Sequence, residues 1–556
     1  MNKKVCSFPI LFALLALLIG TCAVVFPASA QAAPTSTGSI TVSGTVASSY
    51  DAYQIFSANV VDGDSDAKTA TDLAWASDAA RDAVLPVLYS AGMPNSQATA
   101  QEAAEWLNTD SHLTSALSAQ LARSLQSSDA VPVALNAGTA AELPCGYWLI
   151  VADDATISQD EAGTAPIMAL VGGSAVTVKP KAATPKVAKH VLEDSTAAWQ
   201  KAADATVADD LYWRLSATVP AGLTAYDTYT VRFVDTMSAG LDPSKVAASM
   251  RVYVAAGADG GIDAVSAGKD GRAVTEPAKG WTDITAQCAT KVAADGKTFT
   301  VRTGDLIAAL GGADAFTAGA RVVAVYNAPL NSACSHGIAK GNPNEVYLRY
   351  PSSPFADQSG DAGFTRTPSD DACAYTWDLA LTKRGSDGDK PLAGAVLSIA
   401  DDRGRTLAAD GTWDAEGKAT VTTGEDGRVT VSGVDSGKLE VREIKAPKGY
   451  TAFEGTRSVT VKAEGLDVDQ VAAAKPKLTI TAESPLRADS ADGSTGSLEA
   501  SLINTPTGTP PSITTGGFMP STGDMAMYAA AAAAVAGAAL IVVALLVKRG
   551  GGSHKE

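Results

Sequence analysis

Short stretches in which apolar and polar residues alternate, closed by Gly/Asp turns, recur along this chain and constrain it more than any other feature. Ile40-Thr41-Val42, Val176-Thr177-Val178, Tyr229 to Val234, Val346 to Tyr350 and Val429 to Val431 all carry the pattern. A period of two is what a strand with one buried face requires. Many short strands with regular turns build sandwiches rather than a parallel sheet. The expected fold class is therefore mainly β, as tandem β-sandwich domains of immunoglobulin-like architecture. Breaks at Lys179 to Pro185 and around Ser352 to Pro368 divide the chain into units 31–181, 182–368 and 369–506. The first unit is expected to carry helical insertions. Thr99-Ala-Gln-Glu102 reads as a capping box opening an Ala-rich helix through Leu107. Leu113, Leu117, Leu121 and Leu125 recur every four residues, so they form one stripe on a second helix, with Thr109 or Asp110 as its N-cap. That stripe is expected to pack on the sheet.

The two ends read as targeting segments. Lys3 and Lys4, an apolar run from Phe8 to Phe26 and Pro27-Ala-Ser-Ala30 make residues 1–30 a secretory signal peptide. Thr21 is a poor neighbour for a lipidated Cys22, so a lipobox is rejected. Met525 to Val547 holds no charge and exceeds the ~20 residues a membrane-crossing helix needs. Lys548 and Arg549 follow it and place that end in the cytoplasm. Just before the span stands Met519-Pro520-Ser521-Thr522-Gly523. With the span and basic tail it resembles the LPxTG cell-wall sorting signal of Gram-positive bacteria, Met519 replacing Leu. The resemblance implies that a sortase cleaves between Thr522 and Gly523 and that the membrane holds the precursor only transiently. Residues 507–556 are then a sorting signal, and its Pro/Gly/Thr-rich start is a flexible tether.

Several ionisable or carboxamide side chains fall on the apolar parity of strands, where each needs an explanation. Trp377, Leu379 and Leu381 carry Lys383 inward; Leu439 and Val441 carry Glu443; Leu498, Ala500 and Leu502 carry Asn504. In the middle unit Val187 and Val191 bracket Lys189, Tyr229-Val231-Phe233 leads to Asp235, and Asn344 shares parity with Val346, Leu348 and Tyr350. Each set is one Lys, one carboxyl and one Asn, in the same order. Desolvation drives the amine and the acid towards their neutral forms. A neutral amine can attack a carboxamide while the acid shuttles protons and ammonia leaves. For any one residue a strand end, with Lys snorkelling and Asn capping a turn, is the simpler reading. The repetition of the trio favours intramolecular isopeptide bonds.

Longer motifs point the same way. Leu439-Glu-Val-Arg-Glu443-Ile-Lys-Ala-Pro447-Lys-Gly449-Tyr450 resembles the pilin E-box, and Lys383 to Ile399 resembles the start of collagen-adhesin B-type domains. Val234-Asp235-Thr-Met-Ser-Ala-Gly-Leu241, Asn344 to Tyr350 and Tyr50 to Phe56 are similar to segments of sortase-assembled shaft pilins. The resemblance implies Glu443 and Asp235 as catalytic carboxyls and bonds Lys383–Asn504 and Lys189–Asn344. Gly172 to Lys181 resembles the pilin motif WxxxVxVYPK at Val176, Val178, Pro180 and Lys181, though Gly172 replaces its Trp and Lys179 its Tyr; the match implies Lys181 as the intersubunit acceptor, with Lys179 its rival.

Other classes fare poorly. A formal net charge of −17 argues against a nucleic-acid partner. Cys6 and Cys22 leave with the signal; Cys145, Cys288, Cys334 and Cys373 show no CxxC spacing, so no metal site is expected. Their pairing is open among three connectivities, with Cys288 and Cys334 the pair lying in one unit. Asp62-Gly-Asp64-Ser-Asp66 lacks the Gly and Glu of a calcium loop. His112, His190, His336 and His554 form no recognisable triad. No cofactor and no enzymatic turnover are expected. The expectation is a secreted major subunit of a covalent cell-wall pilus, partnered by sortase, copies of itself, minor pilins and peptidoglycan, with a host surface ligand left open. A monomeric wall-anchored adhesin or an accessory pilin is the alternative.

Overall fold

The computed structural model describes residues 36–508 apart from 45, 64–66, 110, 159–160, 164, 181–183, 221–222 and 258–275. The signal peptide, the MPSTG motif, the apolar span and Lys181 lie outside the described residues. No helix among the described residues is long and apolar enough to cross a membrane. The chain is mainly β, in three successive sheet-built units.

In the first unit one central sheet has two buried faces. Its strands run in the order Lys68–Trp75, Ser49–Asp62, Gly146–Ala152, Ile167–Val171, with Val133–Asn136 also on Ser49–Asp62. Alternation sends Tyr50, Ala52, Trp148 and Ile150 to a small sheet of Ala141–Pro144, Thr37–Val42 and Val176–Val178. Their neighbours Tyr53, Ile55, Leu149 and Val151 meet the helices instead. These are Asp78–Ser90, Ala100–Asn108 and Ser115–Gln126. The Thr99/Glu102 capping box is formed in both directions. The third helix begins later than the leucine spacing suggests. Thr114 is its N-cap, accepting from the Leu117 amide, because a hydroxyl there satisfies an orphan donor. Leu113 lies before the helix and is exposed, while Leu117, Leu121 and Leu125 are buried against the sheet.

The middle unit is a sandwich. One sheet orders Ala198–Gln200, Val187–Glu193, Tyr212–Thr218, Arg321–Asn327, Arg251–Ala255 and Thr282–Asp283. The facing sheet orders Ala202–Asp204, Asp370–Tyr375, Asn342–Pro351, Arg232–Met237, Thr298–Arg302 and Ala289–Val292. Phe364–Arg366 adds to Asn342–Pro351. The strand expected over Tyr229 to Val234 begins instead at Arg232, the preceding residues being buried loop.

The strand Asp370–Tyr375 also differs from expectation, since the sequence places it in the third unit. It pairs with Asn342–Pro351 and with Ala202–Asp204, inside the middle sheet. Ala372 and Ala374 enter the middle core, whereas Cys373 and Tyr375 enter the core of the third unit. A period-two strand can serve both because successive side chains point oppositely. The junction is thus shared, with no free linker between the two sandwiches.

The third unit stacks two sheets. In one, Trp377–Gly385 runs antiparallel to Arg428–Val434 and parallel to Ser497–Pro506. In the other, Val396–Ala400, Gly437–Lys445, Thr456–Glu464 and Lys477–Ala482 are successive neighbours.

Carboxyls also bind the middle and third units together. Asp204 accepts from the Trp377 indole at 2.6 Å and from the Ser436 amide at 2.9 Å. Burial, then the charges of Asp204, Asp194 and Glu193, hold the Asp435 carboxyl well above the usual carboxylate range. Arg403 pairs with Asp209 at 2.9 Å and stands 3.8 Å from Asp194. A folded-state acid with a raised pKa keeps its proton after the unfolded chain has lost it, so its stabilisation fades as pH rises above the ordinary carboxylate value. Asp435→Asn, which needs no proton to donate, should flatten the pH dependence of melting above the ordinary carboxylate range and raise the melting temperature at the upper end. A variant whose pH profile parallels the parent's would contradict this.

Candidate functional site

Two side-chain sets are buried in the sandwiches, and in each the strands deliver the groups from opposite sheets. In the third unit Lys383 lies on Trp377–Gly385 and Asn504 on the adjacent parallel strand, where Gly385 is in register with Asn504 and Lys383 with Leu502. Glu443 comes from the facing sheet. Lys383 and Asn504 are at most 2% exposed and Glu443 is 7% exposed. The Lys383 ammonium donates to Asn504 Oδ1 and lies 3.3 Å from Glu443 Oε1. Asn504 Nδ2 donates to both Glu443 oxygens, at 2.9 and 3.0 Å. The Phe453 amide donates to Glu443 Oε2 at 3.1 Å and holds the carboxyl in place. Burial pulls the Lys383 amine down to about 8, against the opposing pull of Glu443. Each of the three side chains therefore contacts the other two.

The middle set is built differently. Lys189 stands on Val187–Glu193, opposite Leu215. Asp235 and Asn344 share one face of the other sheet, Asp235 being in register with Val346 and Met237 with Asn344. All three are fully buried. The Lys189 ammonium donates to Asp235 Oδ2. Burial lowers the amine to about 8 and raises the Asp235 carboxyl, although the two attract each other. The hydrogen-bond path from Lys189 to Asn344 passes through a fourth residue, Tyr326. Its hydroxyl accepts from Lys189 Nζ at 3.0 Å and from Asn344 Nδ2 at 2.8 Å, and donates to Asp235 Oδ2 at 3.0 Å. Asp235 Oδ1 and Asn344 Oδ1 have no hydrogen-bond partner, and a proton on the acid is what would turn one of these acceptors into a donor.

Tyr326 escaped the sequence reading, although a signal exists. Val322, Ala324 and Tyr326 share the inward parity of one strand, and a tyrosine hydroxyl on a core face needs a partner. The Tyr326 ring packs edge-on against Phe299, with centroids 4.8 Å apart. Lys189 Nζ stands 5.5 Å from the centroids of both Trp213 and Tyr326.

The remaining predicted site residues divide. Lys179 is exposed directly after Val176–Val178. The turn before that strand is gripped by Lys68, which donates to the Gly172 and Ser174 carbonyls at 2.6 and 2.7 Å, and by Asp62, which accepts from the Ser174 amide. Lys181, Met519, Pro520, Ser521, Thr522 and Gly523 lie outside the described residues. The expected Cys288–Cys334 disulfide is not formed, because the two thiols belong to separate loops. Cys288 donates to the Ile284 carbonyl and Cys334 contacts His336, and both are free, as are Cys145 and Cys373. Burial pushes the thiols of Cys288, Cys334 and Cys373 up to about 11. No group of His, Cys, Asp and Glu among the described residues could hold a metal ion.

Comparison with known proteins finds a similarity in one part of the chain. Residues 378–475 match the SpaA prealbumin-like fold domain. The matched segment contains Lys383 and Glu443, while Asn504 follows it on the strand Ser497–Pro506. A trypsin-resistant surface T6 protein of Streptococcus pyogenes serotype M6 is 29% identical over 143 residues. This alignment covers 24% of the present chain and 24% of that relative, so the match spans about a quarter of the relative's length. Among solved structures, the T6 backbone pilin of the same serotype aligns over 85% of this chain and 98% of its own, with 17% identity and a TM-score of 0.45. The full-length major pilin SpaD of Corynebacterium diphtheriae aligns over 85% and 98%, with 15% identity and a TM-score of 0.40.

Proposed function

We propose that this chain is the shaft subunit of a covalently polymerised surface pilus, cross-linked within its middle and third domains by Lys189–Asn344 and Lys383–Asn504 bonds. The observation that carries the reading is the complete Lys383–Glu443–Asn504 contact set, buried in the SpaA-type domain and echoed by Lys189, Asp235 and Asn344. Burial pulls both amines down and, in the middle set, raises the Asp235 carboxyl, so there the carboxyl takes the ammonium proton and frees the amine. The amine attacks the asparagine Cγ, the new C–N bond forms, and the old carboxamide nitrogen leaves as ammonia. Each event is single-turnover. The resemblance of the C-terminal segment to a sorting signal supports sortase opening at Thr522 and transfer to Lys181 of the next copy. The result would be a head-to-tail, open-ended fibre joined at its base to peptidoglycan. A wall-anchored adhesin or accessory pilin would share the internal bonds but not the acceptor role.

Tryptic mapping of the full chain tests the internal bonds. Branched peptides joining Lys189 to Asn344 and Lys383 to Asn504, each lighter by one ammonia, are expected. Free lysines at both positions would end the reading. The bond-forming rate should also depend on pH with a defined sign. A Lys189–Asp235 pair that holds one proton can place it on the acid. Above the lysine's folded pKa of about 8 that proton is lost and no acid remains. Branching at Lys189 during refolding should therefore be steady near neutrality and slow about tenfold per pH unit above that value.

A further inference from the structure

We infer that Tyr326 is a catalytic residue of the middle-domain reaction, relaying the proton from the attacking amine to the departing nitrogen. The inference rests on the proposed Lys189–Asn344 bond. What distinguishes the two sets is the reach of the acid. Glu443 holds Asn504 Nδ2 directly through both oxygens. Asp235 is one methylene shorter, and Asn344 Nδ2 donates to the Tyr326 hydroxyl instead. That hydroxyl is also bonded to Lys189 Nζ and Asp235 Oδ2, so one oxygen touches the nucleophile, the acid and the leaving group. The site excludes water: Tyr326, Lys189, Asp235 and Asn344 are all fully buried. No solvent route is therefore needed for the transfer, and none is offered.

The steps balance. The Lys189 ammonium first gives one proton to Asp235. Nζ then adds to Asn344 Cγ, leaving Nζ positive and the oxygen negative. In the tetrahedral adduct Nδ2 gains a lone pair, and the Tyr326 hydroxyl turns its proton from the now protonated Asp235 to it; the Tyr326 oxygen takes a proton from Nζ while its own proton passes to Nδ2. The Cγ–Nδ2 bond breaks with its electron pair on nitrogen, ammonia departs and the carbonyl re-forms. Tyr326 ends as it began, and Asp235 retains the proton it received.

The test follows the full chain by pulse-chase labelling and tryptic mapping, with the Lys383–Asn504 branch as an internal clock. Tyr326→Phe keeps the ring against Phe299 and removes only the hydroxyl. It should slow the Lys189–Asn344 branch about a hundredfold, in the range of general acid–base assistance, and leave the Lys383–Asn504 branch unchanged. A Lys189 branch forming at the parent rate overturns the relay. In case Tyr326→Phe disturbs the strand, a second chain carries 3,5-difluorotyrosine at position 326, which keeps the hydrogen bonds but has a more acidic hydroxyl. A relay predicts a changed rate and pH profile for this chain; an unchanged profile also overturns it. The underlying reading fails separately. If the parent gives no Lys189 branch, the bond itself is absent. If Asp235→Ala abolishes the branch while both tyrosine variants form it normally, only the role of Tyr326 is wrong.

Discussion

Asp235→Ala combined with Glu443→Ala should leave both Lys189 and Lys383 unbranched and lower the melting temperatures of the middle and third domains by roughly 10–20 °C each. Each proposed bond would close a loop of more than a hundred residues, judged from the separations of Lys189 from Asn344 and Lys383 from Asn504. Cross-linking a loop of that size removes about 5 kcal/mol of chain entropy from the unfolded state. In domains of this length a loss of 1 kcal/mol shifts melting by about 2–4 °C. The double variant adds a second cost, because two lysines that would have become neutral amides remain buried as amines. Calorimetry of parent and variant, with mapping to confirm loss of the branches, measures the effect. Transitions that coincide with the parent's, despite unbranched lysines, would remove the mechanical rationale. The proposed bonds would join early to late strands of each domain, so the same double variant should extend under force and yield to trypsin where the parent does not.

The second large effect concerns polymerisation. Lys181→Ala, expressed together with a sortase in a Gram-positive host, should abolish the ladder of high-mass species on denaturing gels. Lys179→Ala should leave the ladder intact. The distinction is all-or-none because the acyl group held on Thr522 has one productive acceptor per subunit in the proposed scheme. A ladder that survives Lys181→Ala and disappears with Lys179→Ala would move the acceptor to the exposed Lys179. A ladder that survives both substitutions would favour a single wall-anchored protein with internal bonds. The grip of Lys68 and Asp62 on the turn at Gly172 to Ser174 fixes the chain as it enters this segment.

Strand parity alone was enough to mark Lys189, Asp235, Asn344, Lys383, Glu443 and Asn504 as inward-facing, and all six are buried. Parity is a local property: a side chain two residues from a core leucine must share its face, whatever the topology. The Thr99/Glu102 capping box was legible for the same reason, its partners lying within one helical turn. Distances between sheets carry no such local signature. Only the packed sandwich decides that Lys383 reaches Asn504 directly while Lys189 meets Asn344 through Tyr326, since that depends on register and on one methylene of acid length. The shared strand Asp370–Tyr375 and the unpaired Cys288 and Cys334 belong to the same category. Pairing across hundreds of residues is chosen by the global arrangement of cores, and a Pro-rich break in the sequence does not reveal which core a strand's two faces will serve.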